Sequence, residues 1–347
     1  MLDLAGRVDR QAAACETLGS PMYAHILSRV ADDVRAGGPV GELVAPVADL
    51  PEEAAVPLRL MGGVHALVLQ GRAPELAAYY PSVGGSTVDD DGLWSAFREV
   101  VDSHSVSLAP WLLRIPQTNE VGRAAPLLGA LRVAGARAEG LPVRLFEIGA
   151  SSGLNLLADQ LPIGPGLLID SPMPEAPSEL RIVERLGVDL APIDVTAPDG
   201  RLLLSAYVWA DQIDRFERLK WALQLALRMP VRVTRGTADE FVASLGLKPG
   251  HLTVLWHSVM WQYLGDDEAD AVVRQRDRLA EAATSDAPFA HISFESDKLF
   301  DHKRLGGALE VVLRMWPAGE TQLLGRAPAH GVPVRWDERV IARRKAS

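Results

Sequence analysis

The chain has 347 residues, 48% hydrophobic and 23% charged, with a formal net charge of −10. This balance excludes a disordered chain and allows one large or two ordinary domains. The acidic charge, with no long Lys/Arg run, argues against a nucleic-acid partner and for a small-molecule one.

Cys15 is the only cysteine, which rules out an intrachain disulfide or a cysteine-based zinc site and suits a reducing cytoplasm. It reads as a small apolar helix residue. Met1 to Arg7 lacks a basic region followed by an apolar run, so no signal peptide is expected. No uncharged stretch reaches the ~18–20 apolar residues of a membrane span. A cytoplasmic protein without a membrane partner is expected, and Arg343-Arg344-Lys345 reads as a solvated tail.

Residues 1–115 predict a mainly helical N-terminal domain. Leu18, Tyr23, Ile26, Leu27 and Val30 give one apolar helix face over Ala12 to Val34, ended by Gly37-Gly38-Pro39. Val56 to Leu69, Leu93 to Val101 and Ala109 to Leu113 continue the helical pattern. Asp89-Asp90-Asp91 reads as a solvated loop before a helix start, because three adjacent acids cannot face one cation. Next, Gln117-Thr118-Asn119-Glu120-Val121-Gly122-Arg123 precedes an apolar stretch from Ala124 to Val133. Thr118 or Asn119 can cap that helix, or the amide, acid and guanidinium groups can reach the mouth of a sheet.

The chain is organised around Leu141 to Leu157, where an apolar run meets Gly149 and Gly153 and resumes with helical spacing. This predicts a strand–loop–helix unit. Gly149 suits a tight turn, and Gly153 a close approach of ligand or chain. The helix start offers free N–H groups for an electron-rich ligand group, and Glu147 adds an acceptor in the same crevice.

Strands and helices then alternate. Leu167 to Asp170 is a short apolar run ending in an acid, and Gly187-Val188-Asp189-Leu190 comes after it. Helices are expected over Trp209 to Arg228, Asp239 to Leu245, Asp267 to Ala283 and Lys303 to Trp316. Strands are expected over Val231 to Thr234, Leu252 to Met260 and Phe289 to Ser293, with a closing hairpin near Thr321–Leu324 and Val332–Trp336. The alternation implies a parallel sheet with ligands at the carboxyl ends of its strands.

Gly149-Ala150-Ser151-Ser152-Gly153 spells Gly-x-Ser-x-Gly, similar to the nucleophile elbow of α/β-hydrolases. That unit needs several strands before it, and residues 1–140 show no convincing run of them. His257, His291, His302 and His330 are available as its base.

The pattern Glu147-x-Gly149-x-x-x-Gly153 resembles the first motif of class I S-adenosylmethionine-dependent methyltransferases. The resemblance covers roughly residues 110–340. It implies an α/β, Rossmann-like methyltransferase sheet with helices on both faces in residues 116–347, behind a helical lid or acceptor-selecting domain. S-adenosyl-L-methionine is the implied cofactor, a small molecule the acceptor, and O- or N-methylation the reaction; no metal is implied. Gly149, Ser151 and Gly153 would pass under the cofactor's amino-acid end and Glu147 would meet its ammonium. Asn119, Glu120 and Arg123 would form the near wall, and Arg123 would pair with a carboxylate. Asp170 or Asp189 would hold the ribose. Asp170 lies near the ~20-residue spacing of the ribose acid in dinucleotide folds, whereas Asp189 requires an insertion. Asp239, in Arg235-Gly236-Thr237-Ala238-Asp239, would meet the adenine or cap the next helix. His257 would be a general base beside the transferring methyl, or a neutral hydrogen-bonded member of an apolar wall. With Trp209-Ala210-Asp211-Gln212, the whole chain also resembles an uncharacterised bacterial family known mainly from actinobacterial genomes. A non-catalytic relative that binds a nucleotide-like ligand remains the third reading.

Overall fold

The computed structural model describes residues 3–86, 88–175, 179–296 and 308–341. The first helices are α1 (Leu4–Thr17), α2 (Pro21–Ala36), α3 (Pro39–Val44), α4 (Val56–Leu69), α5 (Pro74–Ala77), α6 (Asp90–Ser103), α7 (Ser105–Leu112) and α8 (Ala124–Arg137). Then come β1 (Val143–Ile148), β2 (Ile182–Asp189), α9 (Pro198–Ala206), α10 (Ile213–Arg228), β3 (Arg232–Arg235) and α11 (Ala238–Ser244). The rest is β4 (Leu252–Ser258), α12 (Asp266–Ala282), β5 (Phe289–Glu295), β6 (Leu309–Trp316), β7 (Glu320–Ala327), β8 (Arg335–Trp336) and α13 (Glu338–Ile341). Among the described residues, no helix is long and apolar enough to cross a membrane.

The chain forms two compact units, Met1–Thr118 with Thr196–Lys220, and Asn119–Val195 with Trp221–Ser347. The first is helical, as expected, but it also recruits a segment that comes after β2. Asp211, from that segment, accepts from Ser20 Oγ at 2.5 Å and Met22 N at 3.0 Å. It thereby serves the first turn of α2, an orphan donor that local sequence leaves unsatisfied. Tyr207 packs on Gly62, where a Cβ would lie 2.5 Å from its ring. A boundary at residue 115 does not anticipate these long-range partners. The helix expected over Ala12 to Val34 is two helices, because Gly19 turns to φ +79° and Pro21 starts α2. Asp89 caps α6 by accepting from Gly92 N at 3.0 Å, so the acidic run is a helix start. Cys15 is buried, and burial pushes its thiol up to about 11, which keeps it inert.

The second unit is built on an eight-stranded sheet in the order β3-β2-β1-β4-β5-β6-β7-β8. The first five strands in that order are parallel, and β6, β7 and β8 add antiparallel. This is a Rossmann-like α/β sheet with helices on both faces. On one face Phe146, Ile148, Leu255 and Phe289 pack with Phe241 and Val242 of α11 and with Val272 and Leu279 of α12. On the other, Arg137 of α8 donates to Gln322 on β7.

Three expectations change. Leu309–Trp316 is strand β6, not helix; Val311, Leu313 and Met315 are buried with a period of two. Residues 303–307 of that expected helix lie outside the described residues. The helix expected from Trp209 starts at Ile213. Leu167 to Asp170 is not the second strand: only Ile163 and Ile169 bridge there, and β2 ends instead in Asp189.

Candidate functional site

The order β3-β2-β1-β4-β5 reverses direction between β1 and β4. In open α/β sheets ligands bind in the crevice at the carboxyl ends of the strands at such a reversal. Here it lies between Glu147 with its glycine loop and the exit of β4.

The loop alternates left-handed residues: Gly149 at φ +67°, Ser151 at +53° and Gly153 at +77°. The left-handed form is uncommon for a residue with a side chain. At Ser151 it turns the N–H onto Asp189 Oδ2, 2.8 Å away. Asp189 Oδ1 accepts from Ala191 N at 2.9 Å, so the end of β2 is bonded to the loop after β1. Gly149 and Gly153 are needed sterically as well. A Cβ would lie 2.9 Å from Met260 Cβ at Gly149 and 2.8 Å from Val231 Cγ2 at Gly153.

The segment after Gly153 is not the expected α-helix. Leu154–Gln160 is a short 3-10 segment, kinked at Leu157. Its first N–H is not free, because Leu154 N donates to Asn119 Oδ1 at 2.9 Å. Ser152 Oγ donates to the same oxygen at 2.7 Å. Asn119 therefore braces the glycine loop and caps nothing of its own. The local cap is Glu120, whose Oε1 accepts from Gly122 N at 3.1 Å.

Glu147 is 2% exposed. Its Oε1 accepts from Trp256 Nε1 at 3.1 Å, and its Oε2 is buried with no hydrogen-bond partner. Burial pushes its carboxyl up to about 8; Trp256 and Arg123 oppose this, and Asp189 adds to it. Ser151 Oγ and Asn155 Oδ1 are likewise buried and unpartnered. Three polar side chains within nine residues thus leave an oxygen unbonded where most buried polar groups find partners.

Arg123 joins the crevice wall. Its Nε donates to Ala329 O at 3.1 Å and its guanidinium reaches Ser258 O, at the end of β4, at 3.4 Å. His330 sits beside it: Nδ1 lies 3.2 Å from Glu120 Oε2, and Nε2 is buried and unpartnered. The backbones touch as well, since a Cβ on Gly122 would lie 2.1 Å from His330 O.

The remaining expected residues have partners of their own. Asp170 is exposed in a turn and accepts from Gly166 N at 3.1 Å. Asp239 lies in the first turn of α11, where Thr237 is the cap residue. The Thr237 hydroxyl and nearby backbone N–H groups hold its carboxyl below the usual range. His257 is adjacent to Trp256 on β4, so its ring projects from the opposite face. Its Nδ1 lies 2.8 Å from Glu295 Oε1 and its Nε2 3.0 Å from His291 Nε2. A carboxylate accepts only, so His257 Nδ1 carries the proton and Nε2 accepts from His291. Both nitrogens are occupied. Glu295 Oε1 also accepts from Met260 N at 3.1 Å. Burial, then His257, Arg314 and Arg276, hold the His291 imidazole well below its ordinary pKa.

A serine nucleophile needs an imidazole within reach. Among the described residues no imidazole bonds to Ser151 Oγ, and no strand precedes Val143; His302 lies outside those residues. Sequence reasoning misses His330 and Asn155 as members of the crevice. Glu120 sits in the conspicuous 117–123 stretch, but nothing local in Ala329-His330-Gly331 points back to it.

No curated protein matches the chain. Among solved structures, a match is the medium-resolution structure of the bifunctional kinase-methyltransferase WbdD, at 14% identity and a TM-score of 0.26. It covers 52% of this chain, which in turn spans about 30% of that structure's length. A likeness at that score carries no argument about activity. Residues 5–336 match the family described as "Uncharacterized protein conserved in bacteria (DUF2332)". With that match running through both compact units, the chain belongs to this uncharacterised bacterial family.

Proposed function

We propose that the sheet unit binds S-adenosylmethionine at the β1/β4 crevice and transfers its methyl group to the oxygen or nitrogen of a small molecule. The observation that carries this reading is the trio of unbonded oxygens on Glu147, Ser151 and Asn155. A carboxyl, a hydroxyl and an amide carbonyl suit a ligand end rich in donors, such as an ammonium group. When bound, the cofactor supplies an electrophilic sulfonium methyl; the protein supplies orientation and electrostatics.

In this reading Glu147 ionises to meet the ammonium, and Ser151 and Asn155 complete its bonds. Gly149 and Gly153 keep the loop low beneath it. Asp189 takes the ribose hydroxyls; its position at the end of β2, bonded to Ser151 N, favours it over the exposed Asp170. Asp239 meets the adenine amino group. Asn119 holds the loop in shape, and Arg123 closes the wall beside Glu120.

Calorimetry with S-adenosylmethionine and S-adenosylhomocysteine tests the reading. Both nucleosides are expected to bind, and Glu147→Gln to weaken them by roughly 10- to 150-fold, the worth of one charge-assisted hydrogen bond. Failure of both to bind the wild type, or unchanged affinity in Glu147→Gln, overturns it.

A further inference from the structure

The structure distinguishes two imidazoles near the carboxyl ends of β1 and β4. His257 has a partner on each nitrogen. His330 has one partner, the Glu120 carboxylate at 3.2 Å from Nδ1, and a buried Nε2 with none. A carboxylate facing Nδ1 fixes the proton there and leaves the lone pair on Nε2. An imidazole oriented by an acid, with its far nitrogen unpartnered, is the arrangement of a general base.

The dyad is held rigidly. Glu120 is buried, and its other oxygen is occupied by Gly122 N. Arg123 ties Ala329 O and Ser258 O together, so the His330 loop is fastened to the end of β4. The next residue back, Asn119, is bonded to the glycine loop through Ser152 Oγ and Leu154 N. One five-residue stretch, Asn119 to Arg123, thus braces the proposed cofactor loop and orients the half-partnered imidazole.

We propose that Glu120 and His330 form the base that activates the acceptor, and that the group methylated is protonated at rest: an alcohol, a phenol or an N–H, not a carboxylate. This rests on the methyl-transfer reading above. As the acceptor atom's lone pair bonds to the methyl carbon, the carbon–sulfur bond breaks and its electron pair stays on sulfur. The acceptor proton passes to His330 Nε2, and the imidazolium so formed lies against the Glu120 carboxylate. A carboxylate acceptor, already ionised, has no use for this dyad.

Full-length protein labelled with 15N-histidine is titrated by NMR, as wild type, His330→Gln and Glu120→Gln. His330→Gln assigns the ring. The neutral His330 ring is expected to carry its proton on Nδ1, and Glu120→Gln to shift that proton toward Nε2, the form an unconstrained imidazole prefers. A wild-type ring protonated on Nε2 overturns the proposal. So does a tautomer that ignores Glu120→Gln. In parallel, turnover of S-adenosylmethionine is followed with a panel of alcohols, phenols, amines and carboxylates. His330→Gln is expected to keep wild-type affinity for S-adenosylhomocysteine and to lose about 100- to 10,000-fold in rate, the span of general-base catalysis. Wild-type rates in His330→Gln, or methylation of carboxylates alone, overturn it. If no panel member is methylated, the tautomer result decides. A wild type that binds neither nucleoside breaks the methyl-transfer reading instead, and that failure shows in calorimetry whatever the tautomer.

Discussion

Two polar clusters lie toward the carboxyl ends of neighbouring strands, on opposite faces of the sheet. On the α12 face, Glu295, His257 and His291 form a chain in which one carboxylate oxygen serves His257 Nδ1 and Met260 N, and only His291 Nδ1 is left unpartnered. Burial keeps that imidazole neutral, so an open nitrogen there is a modest cost. On the other face, Glu147, Ser151 and Asn155 each leave an oxygen unbonded, and one belongs to a carboxyl pushed up to about 8. In the first cluster all but one of the imidazole nitrogens are paired within the protein. The second holds its groups at an energetic disadvantage that a donor-rich ligand would relieve, which is where function is expected to concentrate.

The sharpest way to break this contrast is at the brace. Asn119→Ala strips one oxygen from two buried donors, Ser152 Oγ and Leu154 N. Each donor left unsatisfied costs about 1–3 kcal/mol, so a loss of roughly 2–6 kcal/mol is expected in urea denaturation. A loss under about 1 kcal/mol would mean that the loop holds its shape without Asn119.

Glu295→Gln addresses the other face. The amide still has an oxygen, but the charge-assisted bonds to His257 and Met260 weaken, for a loss of about 1.5–3 kcal/mol in stability. Affinity for S-adenosylhomocysteine should stay as in wild type. A variant of normal stability that binds the nucleoside poorly would erase the division between the faces.

Glu147 separates them by pH. Its folded pKa lies above its unfolded one, so between about 4.5 and 8 the folded protein binds the extra proton. Glu147's contribution to the stability of the free protein should therefore be fully present below that window and fall by up to about 1.4 kcal/mol per pH unit as pH rises through it. Glu147→Gln should remove that component of the slope. Binding of an ammonium-bearing nucleoside requires the ionised carboxylate, so wild-type affinity should rise with pH toward about 8 and then level. Calorimetry across about pH 5–9, a span that brackets this titration, reads the change; a flat wild-type profile contradicts the burial of this acid.

Much of this is legible locally. Glu147, Gly149 and Gly153 sit in a short strand–turn pattern, and their places follow from period, chirality and the end of a strand. Asp189 is visible only as an acid in the right wording, because the 21 residues from Leu161 to Arg181 separate it from the 3-10 segment and spoil the spacing. The β6 strand reads equally as a helix, since Leu309 to Trp316 offers apolar residues at both periods. His257 stands out by strand position, and only tertiary contacts reveal that both its nitrogens are occupied. His330 and Asp211 act through partners about 200 residues away, a relation no local pattern encodes.

The smallest effect tests the hydroxyl of the trio. Ser151 has a left-handed backbone with its N–H bonded to Asp189, and that bond is unaffected by Ser151→Ala. The side-chain oxygen has no protein partner, so its removal takes no hydrogen bond from the free protein and stability should stay within about 0.5 kcal/mol. With a donor-rich ligand in place, the hydroxyl contributes one neutral hydrogen bond, about 0.5–1.5 kcal/mol or roughly 2- to 12-fold in affinity. A generic ester offered to both proteins completes the comparison: with no imidazole bonded to Ser151 Oγ among the described residues, neither should cleave it. Ester cleavage that vanishes in Ser151→Ala would make this loop the seat of an attacking serine, and the unbonded oxygens around it would then need a different ligand.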